Sequence, residues 1–153
     1  MNAISEIYID NSYNWSKRKN EIFVLYGVSH DNSLTKIEKK ISKLEAWNSS
    51  SIVELFKKQV GNFAGVIETD KYICAFVDKI RSHPVFYSFS EGEIKISNSA
   101  RVLKEKTGLN KINELSHLEY RMAGYVTGRE TIYENLYQLR AGELLYFDKL
   151  EKK

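Results

Sequence analysis

The chain has 153 residues but only one cysteine and one proline, Cys74 and Pro84. A single cysteine excludes a disulfide within the chain and is typical of a reducing compartment, so we expect a cytoplasmic protein. The longest apolar run, residues 22–28, is far shorter than a membrane-spanning helix requires. The first residues show no basic region followed by an apolar one, so no signal peptide is expected. We therefore predict no membrane partner.

The chain also has no large excess of either sign of charge. The net charge is +3, and lysines and glutamates are interspersed along the chain. This balance does not favour nucleic acid or membrane binding through bulk charge, and neither is predicted as a partner. The basic run Lys17-Arg18-Lys19 is predicted to lie in an exposed loop rather than to bind phosphate. The three histidines, His30, His83 and His117, show no metal-binding spacing, so no metal site is predicted.

Residues 61–99 contain four strand-like runs, separated at 69–70, at 79–83 and at 91–92. Hydrophobic residues make up 42% of the chain and aromatic residues 12%, which favours one domain built around a sheet. Small residues in the first two runs allow another backbone or layer to approach closely. Pro84 begins the third run, where a strand tolerates proline. We predict that these four strands form the central sheet.

The remaining elements are predicted to pack on this sheet or to extend its flanks. Helices are predicted over residues 34–47, from the serines at 49–51 to Gly61, over 100–106 and over 113–125. Further strands are predicted over residues 6–9, 21–28 and 143–147. Residues 11–20 are predicted to form a turn, and residues 131–138 to be irregular or a helical turn. In the last helix, the residues expected to form the buried stripe are Leu115, Leu118, Met122 and Tyr125.

Four segments of the second half are, in order, GNFAGVIETD, VDKIRSHPVFY, IKISNSARVL and GYVTGRETIYENLYQLRAGELLYF. This series resembles the amino-terminal glutaminase-type domain, a class II glutamine amidotransferase, of the asparagine synthetase family. The matching positions are Gly61, Phe63, Ala64, Asp78, Pro84, Tyr87, residues 96–103, Thr131, Leu136, Leu139, Gly142 and Leu145. Each motif alone is weakly specific, and it is their shared order that carries the resemblance.

The resemblance implies an α+β fold, the αββα four-layer sandwich of the amino-terminal-nucleophile hydrolases, here trimmed and forming one domain over residues 1–153. In active members, a cysteine follows the initiator methionine and attacks the side-chain amide of glutamine. Ammonia then passes to a carboxyl-terminal synthetase domain that uses ATP and magnesium to form an amide bond. Such a ligase domain, fused or separate, is the partner that the resemblance implies.

The chain departs from the family pattern at the positions that carry the chemistry. Asn2 follows Met1 and cannot form a thioester, and the arginine-glycine-proline segment that binds the substrate carboxylate is not recognisable. Of the family's N-G-E stretch only Gly27 remains, and the G-S-D turn has no match in residues 48–51. We therefore expect a catalytically inactive domain, with no catalytic residue and no cofactor of its own, that acts as a structural or docking module.

Two other functions stay open at this point. One is an active amidohydrolase with an unusual nucleophile such as Ser5 or Cys74, although the mid-strand position of Cys74 indicates a small buried hydrophobe. The other is a stand-alone protein-binding module, and a homodimer is also left open. The predicted pocket-edge or docking positions are Gly27, Asp78, Arg81 and Ser82. The alternative for Asp78 and Arg81 is a tight turn held by hydrogen bonds.

Overall fold

The computed structural model describes residues 5–153. Over this range the chain folds as an α+β protein with two sheets and four α-helices. The strands are β1 (Ser5–Tyr8), β2 (Ser16–Lys19), β3 (Val24–Ser29), β4 (Phe63–Glu68), β5 (Tyr72–Val77), β6 (Phe86–Ser90), β7 (Glu93–Ser97), β8 (Tyr137–Gln138) and β9 (Leu144–Asp148). The helices are α1 (Ser33–Ile41), α2 (Ser49–Lys57), α3 (Ala100–Thr107) and α4 (Glu114–Ala123), with a short 3-10 helix over Asn11–Tyr13.

The larger sheet is antiparallel throughout, in the order β2-β3-β4-β5-β9. Its central strands β4 and β5 are buried along nearly their whole length, as their continuous apolar runs predict for strands covered on both faces. Gly27 of β3 lies opposite Gly65 of β4. A Cβ at Gly27 would lie 2.8 Å from the carbonyl oxygen of Ala64 and from Leu34, so α1 can lie close to the sheet only because this residue has no side chain.

The smaller sheet has the order β1-β7-β6-β8, with β1 parallel to β7 and the other pairs antiparallel. The four predicted strands of residues 61–99 are all present, but the prediction that they form one sheet is wrong. β4 and β5 belong to the larger sheet, whereas β6 and β7 belong to the smaller one. The chain crosses between the sheets at residues 78–85, where Arg81 has a left-handed φ of 55° and Pro84 cannot donate a backbone hydrogen bond.

Two apolar clusters hold the layers together. One lies between the two sheets and includes Val66, Ala75 and Ile96. The other lies on the opposite face of the larger sheet, where Leu34 and Ile37 of α1 and Ile52 of α2 pack on it. Helix α3 contacts β6 and β7 of the smaller sheet. The strands thus lie mainly in the interior, with helices against both sheets.

The segment 11–20 is not only the predicted turn, because residues 16–19 form β2. The basic run Lys17-Arg18-Lys19 therefore lies in an edge strand rather than in a loop. The Nζ of Lys17 lies 5.2 Å from the centroid of the Tyr26 ring, and Arg18 forms an ion pair of 2.7 Å with Glu38 of α1. Charged side chains on an edge strand hinder pairing with another chain. Because these charged residues stand where a strand usually has apolar ones, β2 is hard to recognise in the sequence.

Two helices differ in detail from their predictions. The first ends at Ile41, well before Trp47, while Leu44 and Trp47 pack on the apolar cluster from the turn that follows. The second is capped by Asn48, whose side chain accepts a hydrogen bond from the Ser51 amide, rather than by the serines themselves. Helix α3 ends at Thr107, one residue beyond the predicted 100–106, and Gly108 follows it in a left-handed conformation.

The predicted buried stripe of α4 is wrong. Leu115, Leu118, Met122 and Tyr125 are 77%, 53%, 79% and 62% exposed, and the buried residue of the helix is Ser116. Periodicity identifies an apolar face but does not establish that the same chain covers it. Within residues 5–153, the structure contains no helix with the length and apolar character required to cross a membrane.

Candidate functional site

Asp78 follows β5 directly and is 2% exposed. Its Oδ2 accepts a hydrogen bond of 3.0 Å from the Phe63 amide at the start of β4. Its Oδ1 accepts one of 2.9 Å from the Ile80 amide, and the Ser82 amide donates to both oxygens at 3.3 and 3.2 Å. The carboxylate thus accepts hydrogen bonds from two backbone amides of the crossing and from one at the start of β4.

Arg81 lies in the same turn and points toward the smaller sheet. Its Nη2 donates to the side-chain oxygen of Gln138 at 2.6 Å, and its guanidinium lies 5.9 Å from the centroid of the Phe86 ring. The side-chain nitrogen of Gln138 in turn donates to the carbonyl oxygens of residues 126, 128 and 130. Burial lowers the pKa of Arg81 from its ordinary value. Arg81 therefore ties the turn to the segment that follows α4.

Ser82 and His83 carry buried polar atoms for which residues 5–153 supply no hydrogen-bond partner, namely Ser82 Oγ and His83 Nε2. The His83 ring stacks against His30, with 4.8 Å between the ring centroids. Burial and the nearby His30 lower the pKa of His83, while Asp78 acts in the opposite direction. A lowered pKa keeps this imidazole neutral near pH 7. Although they are distant in sequence, these two histidines come together in the fold.

The four predicted pocket residues do not form one cluster. Asp78, Arg81 and Ser82 share the turn after β5, whereas Gly27 lies in β3 and packs against Leu34 of α1. The cavity beside Asp78 has a volume of about 280 Å³. Its charged neighbour Glu143 accepts hydrogen bonds from the Arg140 amide at 2.8 Å and from Arg129 Nε at 2.7 Å. Both acidic side chains at this cavity are thus already engaged by the protein.

Glu143 and its arginines form an ion cluster that the sequence analysis missed. Burial raises the pKa of Glu143, but hydrogen bonds from the Arg140 amide and from the side chains of Arg129 and Arg140 outweigh it, and the net pKa is lowered. The hydrogen bond to Glu143 raises the pKa of Arg129. The sequence motif around Gly142 locates Glu143 in the chain. It does not show that Arg129 contacts Glu143.

Among residues 5–153, neither alternative nucleophile has an activating base. Cys74 lies in the centre of β5, is 2% exposed and faces the helical side of the sheet, and burial raises the pKa of its thiol. Ser5 Oγ donates to Glu68 Oε1 at 3.1 Å, but the Lys149 ammonium donates to the same oxygen at 2.8 Å. A carboxylate neutralised by an ammonium is a poor general base. Asn2 lies outside the described residues.

No family model matches this chain, and no curated protein matches it. The site must therefore be interpreted from its own geometry. Within residues 5–153, the structure places no group of three histidine, cysteine or acidic side chains close enough to hold a metal ion.

The exposed side of α4, formed by Leu115, Leu118 and Met122, is a second candidate functional surface, and we call it the α4 face. The helix is fixed at both ends, because Asn113 accepts a hydrogen bond of 3.1 Å from the Ser116 amide and the Gly124 amide donates to Tyr120 at 2.8 Å. Glu119 also accepts hydrogen bonds from the amide and hydroxyl of Thr127. The α4 face is therefore an apolar surface on a well-anchored helix. The sequence signal for this face is its apolar periodicity, which by itself predicts a buried stripe.

Proposed function

We propose that this chain is a non-catalytic, glutaminase-like domain related to the asparagine synthetase family, with a trimmed αββα sandwich of the amino-terminal-nucleophile type. It serves as a structural or docking module for a synthetase-type amide ligase domain, in the same polypeptide or in another. The α+β fold with helices against both sheets is compatible with this assignment. The observation that carries the proposal is the role of Asp78. This residue belongs to the family motif, and its carboxylate accepts hydrogen bonds from backbone amides.

Other motif residues also have architectural roles. Gly61 has a φ of 134°, and the Ser33 hydroxyl occupies the place that a Cβ would take. Gly142 has a φ of 69°, and its amide donates to the Asp78 carbonyl at 2.8 Å. These residues determine how β4, the crossing and β9 fit together. They support a retained fold and supply no reacting group.

These roles indicate what this chain and the ligase domain would each contribute to the reaction. The chain needs no cofactor, and ATP and magnesium belong to the ligase domain. Without glutamine hydrolysis, that ligase would take its nitrogen from free ammonia or from an amine. The alternative of an active amidohydrolase requires Cys74 or Ser5 to become accessible to substrate and to a base, which the described geometry does not provide.

The first test is a glutaminase assay on the purified chain, with Cys74→Ala and Ser5→Ala variants as matched controls. We expect no ammonia release above the buffer background for any of the three proteins. Turnover by the wild-type chain that either substitution abolishes would establish the amidohydrolase alternative instead.

The second test concerns the ligase. We expect the coding DNA that flanks this chain to encode a domain with the S-G-G-x-D-S pyrophosphate loop. Co-expressed, the two domains should purify together, and amide formation should depend on ammonia or an amine and not on glutamine. Glutamine-dependent amide formation would contradict the proposal. A ligase domain that does not bind the chain would favour a stand-alone binding module.

A further inference from the structure

We propose that the α4 face is a self-association surface, on which two copies of the chain pack their α4 helices antiparallel about a two-fold axis. This inference does not rest on the proposed function, because it depends only on the pattern of apolar and charged side chains along one exposed helix. A non-catalytic domain and an active enzyme could both associate in this way.

The α4 face is narrow and continuous. At about 100° per residue, Leu115, Leu118 and Met122 project within an arc of about 60°. Ser116, the residue of α4 that packs inward, projects about 130° from the centre of that arc. Three large apolar side chains that are at least half exposed thus face away from the fold in one direction. Contiguous apolar surface of this kind marks interaction sites on proteins.

The face is also symmetric along the helix. Leu115 and Met122 lie at nearly equal distances on either side of Leu118. In an antiparallel pair centred near Leu118, Leu115 packs against the partner's Met122, and Leu118 packs against its own copy. Tyr125 and Ile112, which are 62% and 39% exposed, lie just beyond the two ends of α4 and extend the apolar pattern in both directions. A self-matching pattern is what a two-fold interface requires.

The charges on the flank of the face fix the orientation. Glu114 and Arg121 project on the same flank, about 20° apart and about 10 Å apart along the axis. Neither side chain forms an ion pair within residues 5–153. A two-fold axis perpendicular to the helices brings Glu114 opposite the partner's Arg121 and repeats the pair at the other end. A parallel two-fold pair would instead place the two charged flanks on opposite sides of the interface, where Glu114 does not face the partner's Arg121.

The size of the interface predicts its strength. Ten helical residues span about 15 Å, so the contact is smaller than the roughly 800 Å² per partner of a standard interface. We therefore infer a reversible dimer whose population rises over the micromolar to millimolar range of concentration. Because the α4 face makes no contribution to the described core, substitutions on it should leave the fold intact.

Sedimentation velocity over this concentration range tests the proposal, with circular dichroism and thermal melting as checks on folding. We expect the wild-type chain to dimerise and Leu118→Glu to remain monomeric with an unchanged melt. Leu150→Glu is the matched control, since Leu150 is a similarly exposed leucine at 76% that follows β9 and is not part of α4. It should dimerise like the wild type. A wild-type chain that stays monomeric, or a Leu118→Glu variant that still dimerises, would overturn the proposal.

A charge-reversal experiment tests the antiparallel orientation. Glu114→Arg alone and Arg121→Glu alone turn both ion pairs into repulsions, and each should raise the dimer dissociation constant about tenfold. An equal mixture of the two variants restores both attractions in the mixed dimer, so the mixture should associate at least as well as the wild type. Two variants that are folded and monomeric both apart and together would refute the antiparallel arrangement.

Discussion

At the scale of single residues, two buried polar groups of the crossing between the sheets differ in whether their hydrogen bonds are satisfied. The Asp78 carboxylate is buried and fully engaged, whereas Ser82 Oγ, four residues later, is buried with no partner among the described residues. A buried acceptor that satisfies several backbone donors stabilises a fold, while a buried unsatisfied hydroxyl costs free energy. The two side chains of one turn should therefore respond to substitution in opposite ways.

We predict that Asp78→Ala lowers the free energy of unfolding by about 2–4 kcal/mol, because it leaves the Phe63 amide of β4 and two backbone amides of the crossing without their acceptor. Ser82→Ala, the matched control in the same turn, should change that free energy by less than about 0.5 kcal/mol or raise it slightly. Urea unfolding followed by circular dichroism measures both values. Equal losses in the two variants would show that the turn depends on volume rather than on hydrogen bonds.

The His30–His83 stack predicts a dependence of stability on pH. The pKa of His83 is lowered from 6.5 in the folded state. Below pH 6.5, the unfolded chain therefore binds a proton that the folded chain does not, and the free energy of unfolding decreases as the pH falls through this window. His83→Phe keeps an aromatic ring but cannot titrate, so its stability should change less between pH 7.5 and 5.5.

Urea melts at several pH values measure this difference, with His117→Gln as the control, since His117 is an exposed residue of α4. The control should retain the wild-type pH dependence. An unchanged dependence in His83→Phe would assign the effect to other groups.

At the scale of elements, local patterns in the sequence predicted the type of most strands and helices. Alternation and apolar runs predict β4 to β7, and the pattern over residues 100–106 predicts α3, because these signals act within a few residues. β2 was missed because its side chains are charged, as suits an edge strand. The sheet to which a strand belongs depends on partners far along the chain, so the division of β4–β7 between two sheets was not predictable from local pattern.

Helix α4 shows the same limit for the candidate site. Its boundaries and caps were predictable, since Asn113 and Gly124 are typical residues for the two ends of a helix. Its burial was not, because an apolar stripe is equally consistent with an internal core and with a contact between molecules. The pairing of His30 with His83 and of Arg129 with Glu143 was unpredictable for a similar reason, since each joins segments that are distant in sequence.

At the scale of the whole molecule, Cys74 reports on the integrity of the larger sheet. It lies in the central strand β5, and burial raises the pKa of its thiol. Because thiol reagents attack the thiolate, we predict that Cys74 reacts only when the fold opens. In the Asp78→Ala variant, a loss of about 2.8 kcal/mol would speed labelling by about a hundredfold.

The labelling rate with a chromogenic disulfide reagent measures this opening, and the same protein in denaturant provides the rate for the free thiol. Rapid labelling of the native wild-type chain would contradict the buried position of Cys74. It would also reopen the question of its reactivity.

The parallel pairing of β1 with β7 constrains the order in which the molecule can be completed. β1 begins at Ser5, yet Ser5 pairs with Ile94. The larger sheet likewise gains its last strand, β9, only when residues 144–148 are present. β1 therefore has no β7 to pair with until residues 94–97 have been synthesised, and pairings so far apart in sequence slow folding. Until then, the apolar surface of β4 and β5 has no second sheet to cover it.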